Sequence, residues 1–438
     1  MSAPLNRRKF LTQSLALAAL SPALSFASTQ PEPFVLPKKS NLPPTQLAMD
    51  ENYWQQVSQL YDVKKDIINV ENGNWGIMSK PVMTAYFAHT ERVNRDNSFF
   101  SRREFWPEIK AITNNAAQHL GTKTSEIAFT RGATEALQNL IAGYNHLTAD
   151  DSLLYTDLDY DSMQLAMSAK AKSTGAKEIR LTIPEPYNHD QLIAFYEQAF
   201  TTYKNCRLLL LTHISHRTGL ALPVKEITSI AKNHGIDVIV DAAHSWGQMD
   251  FDVDDLGADF IGFNLHKWIG APIGVGVMYI RHSRLESIAT NMSASKNQET
   301  SILGRVHTGT SNFAAFLAVK EAFAFHDMIG AANKEARLRY LRSLWVNQVK
   351  NVPGVEVLTP EDERLHAGIT SFRLHDLKTA SQNKAISEYL LKNHRVFTVH
   401  RTGIDNGCCV RITPSYYNSA ADMQATAEAI IDAAKHYG

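Results

Sequence analysis

Two charged side chains, Asp241 and Lys267, stand at or just beyond the ends of apolar segments. Asp241 directly follows the β-branched run IDVIV at 236–240, and Lys267 follows the run FIGF at 260–263 after three intervening residues. Such runs are typical of parallel strands covered on both faces, and α/β sheets bind ligands at the carboxyl ends of these strands. We therefore expect the two side chains to meet in one crevice.

An amine and a carboxylate in one crevice match the chemistry of pyridoxal 5'-phosphate. That cofactor needs an amine to condense with its aldehyde and a carboxylate to keep its ring nitrogen protonated, so that the ring can accept electrons. We predict that Lys267 supplies the amine and Asp241 the carboxylate. For these two residues taken alone, a buried ion pair without a catalytic role is the alternative.

A third segment, IAFTRGATEAL at 127–137, has the pattern of a strand, a glycine turn and the start of a helix. Free backbone N–H groups at a helix N-terminus, with small hydroxyl residues beside them, form an anion site that suits a phosphate. An ordinary threonine cap is the alternative for this segment. Its combination with Asp241 and Lys267 favours the phosphate site.

Eight motifs follow one another between about Glu71 and Asn418: ENGNWG, TRGATEALQNL, YTDLDYDSM, THISHRTGLALPV, DAAHSWGQ, NLHKWIGAPIGVGVMY, HTGTSN and VRITPSYYNS. In order and spacing they resemble the class V aminotransferase family of fold-type I pyridoxal phosphate enzymes, which includes cysteine desulfurases and isopenicillin N epimerase. The epimerase-like branch fits best, on ENGNWG and YTDLDY. The resemblance implies an α/β fold, with a large domain around a mostly parallel sheet and a smaller α+β C-terminal domain.

The resemblance also implies which residues bind the cofactor besides Asp241 and Lys267. Those expected at the phosphate are Gly132, Ala133 and Thr134, with help from Asn264 and His266. Those expected at the ring are Tyr160, which would stack on its face, and His216 and His244, which would lie near the ring and its phenolic oxygen. A half-buried aromatic residue and satisfied loop histidines are the alternatives for the last three.

Two further implications concern the subunit and the substrate. Thr310, in HTGTSN, matches a residue that reaches the phosphate of the neighbouring subunit, so we expect a homodimer. Arg411, in VRITPSYYNS, matches the arginine that grips the substrate α-carboxylate through its planar fork. Arg401 is a second candidate for substrate binding. Surface ion pairs are the alternative for both arginines.

The amino terminus has the pattern of a bacterial export signal. Arg7-Arg8, in NRRKFL, precede a modest apolar stretch at 15–24 and small residues up to Ala27. That stretch is shorter than the roughly 20 apolar residues that span a membrane, and the order matches a cleaved twin-arginine signal. We expect cleavage after Ala27, export by the twin-arginine machinery and a periplasmic location. A chance Arg-Arg before an apolar helix is the alternative.

Composition favours a globular enzyme that acts on a small molecule. The 44 basic and 44 acidic residues balance, so no net field indicates a nucleic acid or membrane partner. The three cysteines, Cys206, Cys408 and Cys409, do not predict a disulfide framework, because a bond between neighbouring cysteines is strained. No spacing of Cys or His predicts a metal site.

The chain divides into five predicted parts: a signal peptide at 1–27, an N-terminal arm at 28–70, a large cofactor-binding domain at 71–310, a linking helix at 311–350 broken at Gly330, and a small C-terminal domain at 351–438. Strand-like runs in the large domain lie at 152–156, 178–183, 206–211, 236–240, 260–263 and 276–280. The small domain has strand-like runs at 355–358, 370–374 and 396–399 and a helix at 420–436.

These features predict an exported pyridoxal phosphate enzyme that acts at Cα of an amino acid or an amino-acid-containing metabolite, of the aminotransferase or epimerase type. Transamination, epimerisation and β-elimination share the loss of a Cα proton, which the freed lysine would carry, and decarboxylation reaches an equivalent state. The reaction therefore stays open among these four. Export favours a modified or peptide-borne amino acid as the substrate.

Two alternatives to that function stay open. Cysteine desulfurases resemble this chain but carry a nucleophilic cysteine on a loop before the substrate arginine. Here the loop between Arg401 and Arg411 is short and Cys408-Cys409 sit against the arginine, which disfavours persulfide transfer. The second alternative is a protein of the same fold that has lost catalysis and serves as a binding module.

Overall fold

Apolar and β-branched runs between residues 127 and 280 form a seven-stranded sheet in the computed structural model, which describes residues 34–38, 40–306 and 309–438. The signal peptide and cleavage site predicted at 1–27 lie outside the described residues. The strands up to residue 280 are β1 (Ile68–Asn69), which lies outside this sheet, β2 (Ile127–Thr130), β3 (Ser152–Thr156), β4 (Lys177–Leu181), β5 (Cys206–Thr212), β6 (Asp237–Ala242), β7 (Phe260–Asn264) and β8 (Gly276–Ile280).

The spatial order of the large sheet is β2-β8-β7-β6-β5-β3-β4. Neighbouring strands are parallel except in the two pairs that contain β8, so the prediction of a mostly parallel sheet is confirmed. Every residue of β3, β7 and β8 is buried, as expected for strands that are covered on both faces. The register sets Thr212, Asp241 and Gly262 side by side near the carboxyl ends of β5, β6 and β7.

Helices connect and surround these strands. The described helices are α1 (Pro44–Leu47), α2 (Glu51–Gln59), α3 (Lys80–Arg103), α4 (Phe105–His119), α5 (Ala133–Gly143), α6 (Asp161–Thr174), α7 (His189–Thr202), α8 (Val224–Asn233), α9 (Val253–Leu256), α10 (Phe313–Leu317), α11 (Val319–Ile329), α12 (Ala331–Val349), α13 (Ala380–His394) and α14 (Ala420–Tyr437). Helix α3 is kinked at Asn97, whose φ is 48°. The predicted break at Gly330 is confirmed, and a further break separates α10 from α11.

A second, antiparallel sheet lies in the last hundred residues. Its strands are β9 (Val355–Val357), β10 (Thr370–Leu374), β12 (Val399–Arg401) and β13 (Cys409–Ile412), in the order β12-β13-β10-β9, while β11 (Val396–Phe397) pairs with β1. The predicted run 396–399 is therefore two short strands. Trp345 from α12, Phe372 from β10 and Ile430 from α14 belong to one buried apolar cluster that joins this sheet to its helices.

The predicted α/β fold of a fold-type I pyridoxal phosphate transferase is confirmed in both sheets. Residues 36–438 pack as one compact unit, and the boundaries drawn at 70, 310 and 350 remain predictions. Within the described ranges, no helix is long and apolar enough to cross a membrane. The same residues contain no group of three or more His, Cys, Asp or Glu that could hold a metal ion, and the three cysteines are free thiols.

Candidate active site

A cavity of about 640 Å³ opens at the carboxyl ends of the central strands of the large sheet. Every site residue predicted from the sequence lines this cavity except Thr310. The large sheet and its loops contribute the predicted cofactor residues, while β12 and β13 of the small sheet contribute Arg401 and Arg411. The crevice inferred for Asp241 and Lys267 is therefore present in the structure.

Lys267 lies three residues beyond Asn264, the last residue of β7. The pKa of Lys267 is lowered to about 7, mainly by desolvation and also by the charges of Arg411 and Arg401, while the charges of Asp241 and Glu71 oppose the fall. A lysine amine attacks a carbonyl only in its unprotonated form. Near neutral pH this amine is therefore free in about half of the molecules, whereas an ordinary lysine with a pKa of about 10.4 is almost fully charged.

Asp241 is buried in β6, one residue before the strand ends. Its Oδ1 accepts a hydrogen bond from the backbone N–H of Ala243 at 2.9 Å. Burial raises its pKa, and the Ala243 hydrogen bond and the charge of Lys267 oppose that rise. A buried carboxyl group with so little support gains most from a cationic partner in the cavity. A protonated ring nitrogen is such a partner.

His244 connects Lys267 to the residue that follows it. The indole N–H of Trp268 donates to Nδ1 of His244 at 3.4 Å, and Nε2 of His244 lies 2.9 Å from Nζ of Lys267. Desolvation, followed by the charge of Lys267, holds the pKa of His244 well below its usual value. A neutral His244 that accepts at Nδ1 carries its proton on Nε2, so it donates toward the lysine amine. Trp268 was not among the predicted site residues.

Tyr160 and His216 meet at one wall of the cavity. Their ring centroids are 5.2 Å apart and their planes are nearly perpendicular. Desolvation and the nearby charges of Arg217 and Arg401 hold the pKa of His216 well below its usual value. Tyr160 is partly exposed at the cavity, and its stacking on the cofactor ring stays a prediction.

The predicted phosphate site is the N-terminus of α5. Gly132 precedes this helix and supplies no side-chain cap, so the N–H groups of the first turn beyond Ala133 are left for an anion. The amide oxygen of Asn264 accepts the N–H of Ala133 at 2.7 Å, which fixes the turn. A Cβ atom at residue 132 would lie 3.2 Å from that oxygen, so glycine keeps the cradle open.

His266 borders the same cradle. Its Nδ1–H donates to the carbonyl oxygen of Val275 at 3.0 Å, and desolvation lowers its pKa to about 4. The neutral ring then presents a lone pair at Nε2. His266 would have to gain a proton to donate to a phosphate, and the negative charge of a phosphate favours that gain.

The two predicted arginines are held by a residue that the sequence analysis did not include. Nη2 of Arg411 lies 2.6 Å from both carboxylate oxygens of Glu71, and Nη2 of Arg401 lies 3.1 Å from one of them. Nη1 of Arg411 donates to the backbone oxygen of His216 at 2.6 Å. Arg411 is fully buried, so it is not a surface ion pair. An acid at the start of ENGNWG was the sequence signal for Glu71.

The turn that carries Lys267 is supported from behind by a second buried lysine, Lys334 of α12. Its Nζ donates to the backbone oxygen of Trp268 at 2.7 Å, lies 3.1 Å from Nδ1 of His326 and stands over the ring of Tyr416. Desolvation lowers the pKa of Lys334 to about 7. Lys334 does not line the cavity, so it acts on the site only through the backbone that follows Lys267.

The two acids of YTDLDY tie strand ends together. Asp159 accepts hydrogen bonds from the backbone and hydroxyl groups of Thr156 and Thr212, which joins β3 to β5. Asp157 accepts the N–H groups of Ile183 and Asp405. Burial raises the pKa of Asp159 to about 6 despite these bonds. This motif therefore fixes the loop that presents Tyr160.

Thr310 is exposed and lies outside the cavity of its own chain. Its predicted role concerns the phosphate of a neighbouring subunit, so that role stays a prediction. The preceding residues His307 and Thr308 lie outside the described ranges.

Comparison with known proteins identifies the family. The sequence profile of the family described as aminotransferase class-V matches residues 81–425. The chain belongs to this family. It is 24% identical over 401 residues to an isopenicillin N epimerase of Amycolatopsis lactamdurans, a match that covers 87% of this chain and 99% of that protein.

A probable cysteine desulfurase of Halalkalibacterium halodurans is 27% identical over 335 residues, covering 72% of this chain and 80% of that protein. The crystal structure of the cysteine desulfurase CsdA of Escherichia coli superposes with a TM-score of 0.73 at 18% identity, covering 91% of this chain and all of that one. At this identity the structural match supports the fold only.

Pyridoxal phosphate is the cofactor of this class V enzyme, and the cavity residues fit it. The amine of Lys267, the poorly supported carboxyl group of Asp241 and the uncapped N-terminus of α5 correspond to its aldehyde, its ring nitrogen and its phosphate. When bound, the cofactor withdraws electrons from the bonds at the substrate Cα. The residues that line the cavity would orient the cofactor, and Asp241 would keep its ring nitrogen charged.

Proposed function

We propose that this enzyme catalyses a reaction at Cα of an amino acid or an amino-acid-containing metabolite, of the aminotransferase or epimerase type. The observation that carries the proposal is the lysine amine of Lys267, whose pKa is lowered to about 7 in the cavity that Arg401 and Arg411 also line. A carboxylate bound by the arginines would direct the Cα of the substrate toward that amine. The epimerase relative, which the match covers almost completely, supports this branch.

In this proposal each residue has a limited task. Lys267 holds the cofactor and, once released by the substrate, takes or gives a proton at Cα. Asp241 keeps the ring nitrogen charged. His244, whose proton is directed to Nε2 by Trp268, donates a hydrogen bond near the lysine amine. The N-terminus of α5 anchors the phosphate.

Cysteine desulfurization is the second candidate, because several relatives carry that name. The position of the cysteines argues against it. Cys409 is buried within β13, where burial raises its pKa to about 12, and burial also raises the pKa of Cys408. Neither cysteine lines the cavity. A catalytic cysteine requires an accessible thiolate.

The loop that carries these cysteines is also fixed in place. Asp405 forms two hydrogen bonds of 2.8 Å with Arg180, and Arg373 donates to the backbone oxygen of Gly407 at 2.8 Å. The N–H of Cys408 donates to the backbone oxygen of Lys378 at 2.8 Å. A loop held on both sides is poorly suited to carry a thiol into the cavity. We expect no alanine and no persulfide when the holoenzyme is given cysteine.

We also propose that the enzyme is an exported homodimer. The Arg7-Arg8 string and the apolar stretch after it support export by the twin-arginine route, which accepts proteins that have already folded around a cofactor. Large apolar side chains that remain exposed on the single chain support an interface: Trp75, Phe87, Phe99 and Trp106. A periplasmic location favours a modified or peptide-borne amino acid as the substrate.

Reduction with borohydride tests the cofactor assignment. The purified protein should be yellow, and reduction followed by peptide mass spectrometry should place a pyridoxyl group on Lys267. Lys334 is the internal control, because its pKa is also about 7 but it lies outside the cavity. A colourless protein would indicate the binding module, and a label on another lysine would contradict the assignment.

Exchange at Cα tests the reaction. Holoenzyme is incubated in deuterated water with a panel of amino acids and peptides, and mass spectrometry follows deuterium at Cα, keto-acid formation and inversion. We expect exchange in the parent and in Lys334→Met, and none in Lys267→Ala. Keto acid without inversion would identify an aminotransferase, and inversion without keto acid an epimerase. Absence of Cα exchange across the panel would contradict the proposed function.

A further inference from the structure

The arginine pair, Arg401 and Arg411, carries two positive charges but, within the described ranges, contacts only one carboxylate, that of Glu71. Glu71 bonds both guanidinium groups, and its side chain is only 7% exposed while that of Arg411 is fully buried. The side chain of Arg401 is 25% exposed, so two positive charges and one negative charge share a site that is open to solvent only at Arg401. Of the two described carboxylates that line the cavity, Asp241 is assigned to the ring nitrogen and Glu135 pairs with Arg131. One positive charge remains without a partner among the described residues.

Two hydrogen-bond donors of the arginine pair also lack partners in the described part of the chain. Nε of Arg401 and Nε of Arg411 are both buried and have no hydrogen-bond partner among the described residues. A buried donor without a partner has lost its hydrogen bonds to water and has gained none in the protein, which costs free energy. Both arginines line the cavity, so an acceptor that enters the cavity lies next to the guanidinium pair.

We propose that Glu71 is a specificity residue that limits the arginine pair to a single substrate carboxylate. With Glu71 in place, one bound carboxylate completes an arrangement of two guanidinium groups and two carboxylates whose net charge is zero. A second substrate carboxylate would meet the charge of Glu71 and be rejected. This inference rests on the proposed function, because it takes the arginine pair as the place where the substrate carboxylate binds.

The surrounding backbone fixes Glu71 in this position. The N–H of Glu71 donates to Oδ1 of Asn69 at 2.9 Å, and Asn72 bonds the backbone oxygen of Thr413 at 2.9 Å and the hydroxyl group of Tyr417 at 2.6 Å. Glu71 also pairs with Thr413 in a parallel β-bridge beside β13. The carboxylate is therefore fixed against the arginine pair, whose two side chains line the cavity.

Gly73 explains why this segment approaches the arginine so closely. A Cβ atom at residue 73 would lie 2.6 Å from Nη2 of Arg411, so any other residue would displace the guanidinium group. In the Glu-Asn-Gly part of ENGNWG, Glu71 supplies the carboxylate that pairs with Arg411. Asn72 fixes the segment through its hydrogen bonds, and Gly73 leaves room for the guanidinium group.

The alternative is that Glu71 only stabilises a buried arginine. The variant Glu71→Gln separates the two roles, since glutamine keeps the shape and one acceptor but removes the charge. If Glu71 limits the number of carboxylates, this variant should accept a second one. If Glu71 is only structural, binding of ligands with one and two carboxylates should change equally.

Calorimetry on the holoenzyme with propionate and with succinate measures this directly. In the parent we expect similar affinities for the two ligands. In Glu71→Gln the affinity ratio of succinate to propionate should rise at least tenfold, which corresponds to about 1.4 kcal/mol. Glu71→Asp keeps the charge and should retain the parental ratio.

Glu185→Gln is the matched control, because Glu185 pairs at 2.7 Å with the buried Arg373 outside the cavity. The affinity ratio of succinate to propionate in Glu185→Gln should equal that of the parent. An unchanged ratio in Glu71→Gln, or an equal rise in Glu185→Gln, would overturn the proposal.

If Glu71→Gln fails to fold, the affinities of the parent enzyme for succinate and propionate still test the proposal. A preference for succinate of more than tenfold in the parent, or no binding of propionate, would overturn the role of Glu71. These outcomes are separate from the proposed function, which stands or falls on deuterium exchange at Cα and on the label at Lys267.

Discussion

Replacing Asp241 with Asn should change two properties of the enzyme in opposite directions. The carboxylate of Asp241 is the main group that raises the pKa of Lys267, against desolvation and the two arginines that lower it. Without it the ammonium form loses support, so the pKa of Lys267 should fall below about 7. The amine becomes more reactive toward the cofactor aldehyde. Chemistry at Cα becomes slower, because the ring nitrogen loses the carboxylate that keeps it protonated.

The size of the first effect follows from the titration of the amine. An opposite charge within a few ångströms shifts a pKa by about 1–3 units. At about pH 6, a pKa near 7 leaves about a tenth of the amines free, and a pKa near 6 leaves about half, so capture of the cofactor should become about fivefold faster. At the same pH an ordinary lysine would be free in fewer than about one molecule in ten thousand.

The assay mixes apoprotein with pyridoxal phosphate and follows the visible absorbance between about pH 5 and pH 9, the range that brackets a pKa near 7. Deuterium exchange at Cα on the reconstituted enzyme measures the second effect, which should be a loss of several orders of magnitude. Asp237→Asn is the control, since Asp237 lies at the other end of β6 and pairs with Arg284. A midpoint for Asp241→Asn equal to or above that of the parent, or near-normal exchange, would refute the reasoning.

Three further predictions concern assembly, export and stability. Thr310→Ala should weaken pyridoxal phosphate binding without unfolding the chain, because the hydroxyl group is expected at the phosphate of the partner; a fully loaded monomer in light scattering would contradict this. Replacing Arg7 and Arg8 by Lys should leave active, coloured enzyme with an uncleaved signal in the cytoplasm, which cell fractionation and mass spectrometry would show; normal export would exclude the twin-arginine route. Burial lowers the pKa of Lys334 from 10.5 to about 7 in the folded protein, so protonation of this amine favours the unfolded state. The stability associated with the neutral amine is complete above about pH 10.5 and is lost as the pH falls to about 7. The parent should therefore gain unfolding free energy, on the order of 5 kcal/mol, between those pH values in urea titrations, and Lys334→Met should show much less of this gain.

The strands of the large sheet were predictable because their sequences leave little choice. Runs such as LLLL at 208–211 and FIGF at 260–263 can only be buried, and their bounds agree with the structure within one or two residues. The small sheet was harder. No strand was predicted at 409–412, where β13 carries Arg411. A buried arginine inside a strand is evident only when its carboxylate partner is known.

The cofactor residues were predictable for a related reason. Asp241 and Lys267 are charged side chains at the ends of buried strands, where only chemistry justifies them. Trp268 and Lys334 carry no such signal, and Glu71 was passed over although it opens the ENGNWG motif. Their roles depend on contacts with distant parts of the chain: Glu71 meets Arg411 across 340 residues, and Lys334 meets Trp268 across 66.

The two arginines lie in the small sheet and Lys267 follows a strand of the large sheet. The charges near the arginines nevertheless act on the pKa of Lys267. Arg411 and Arg401 lower the pKa of Lys267, while Glu71 raises it. In the proposed function, a substrate carboxylate bound to the arginine pair would act in the same direction as Glu71 and raise the pKa of Lys267. The amine would then be a weaker base before a substrate binds. It would be a stronger base with a substrate at the arginines, when a proton has to be taken from Cα.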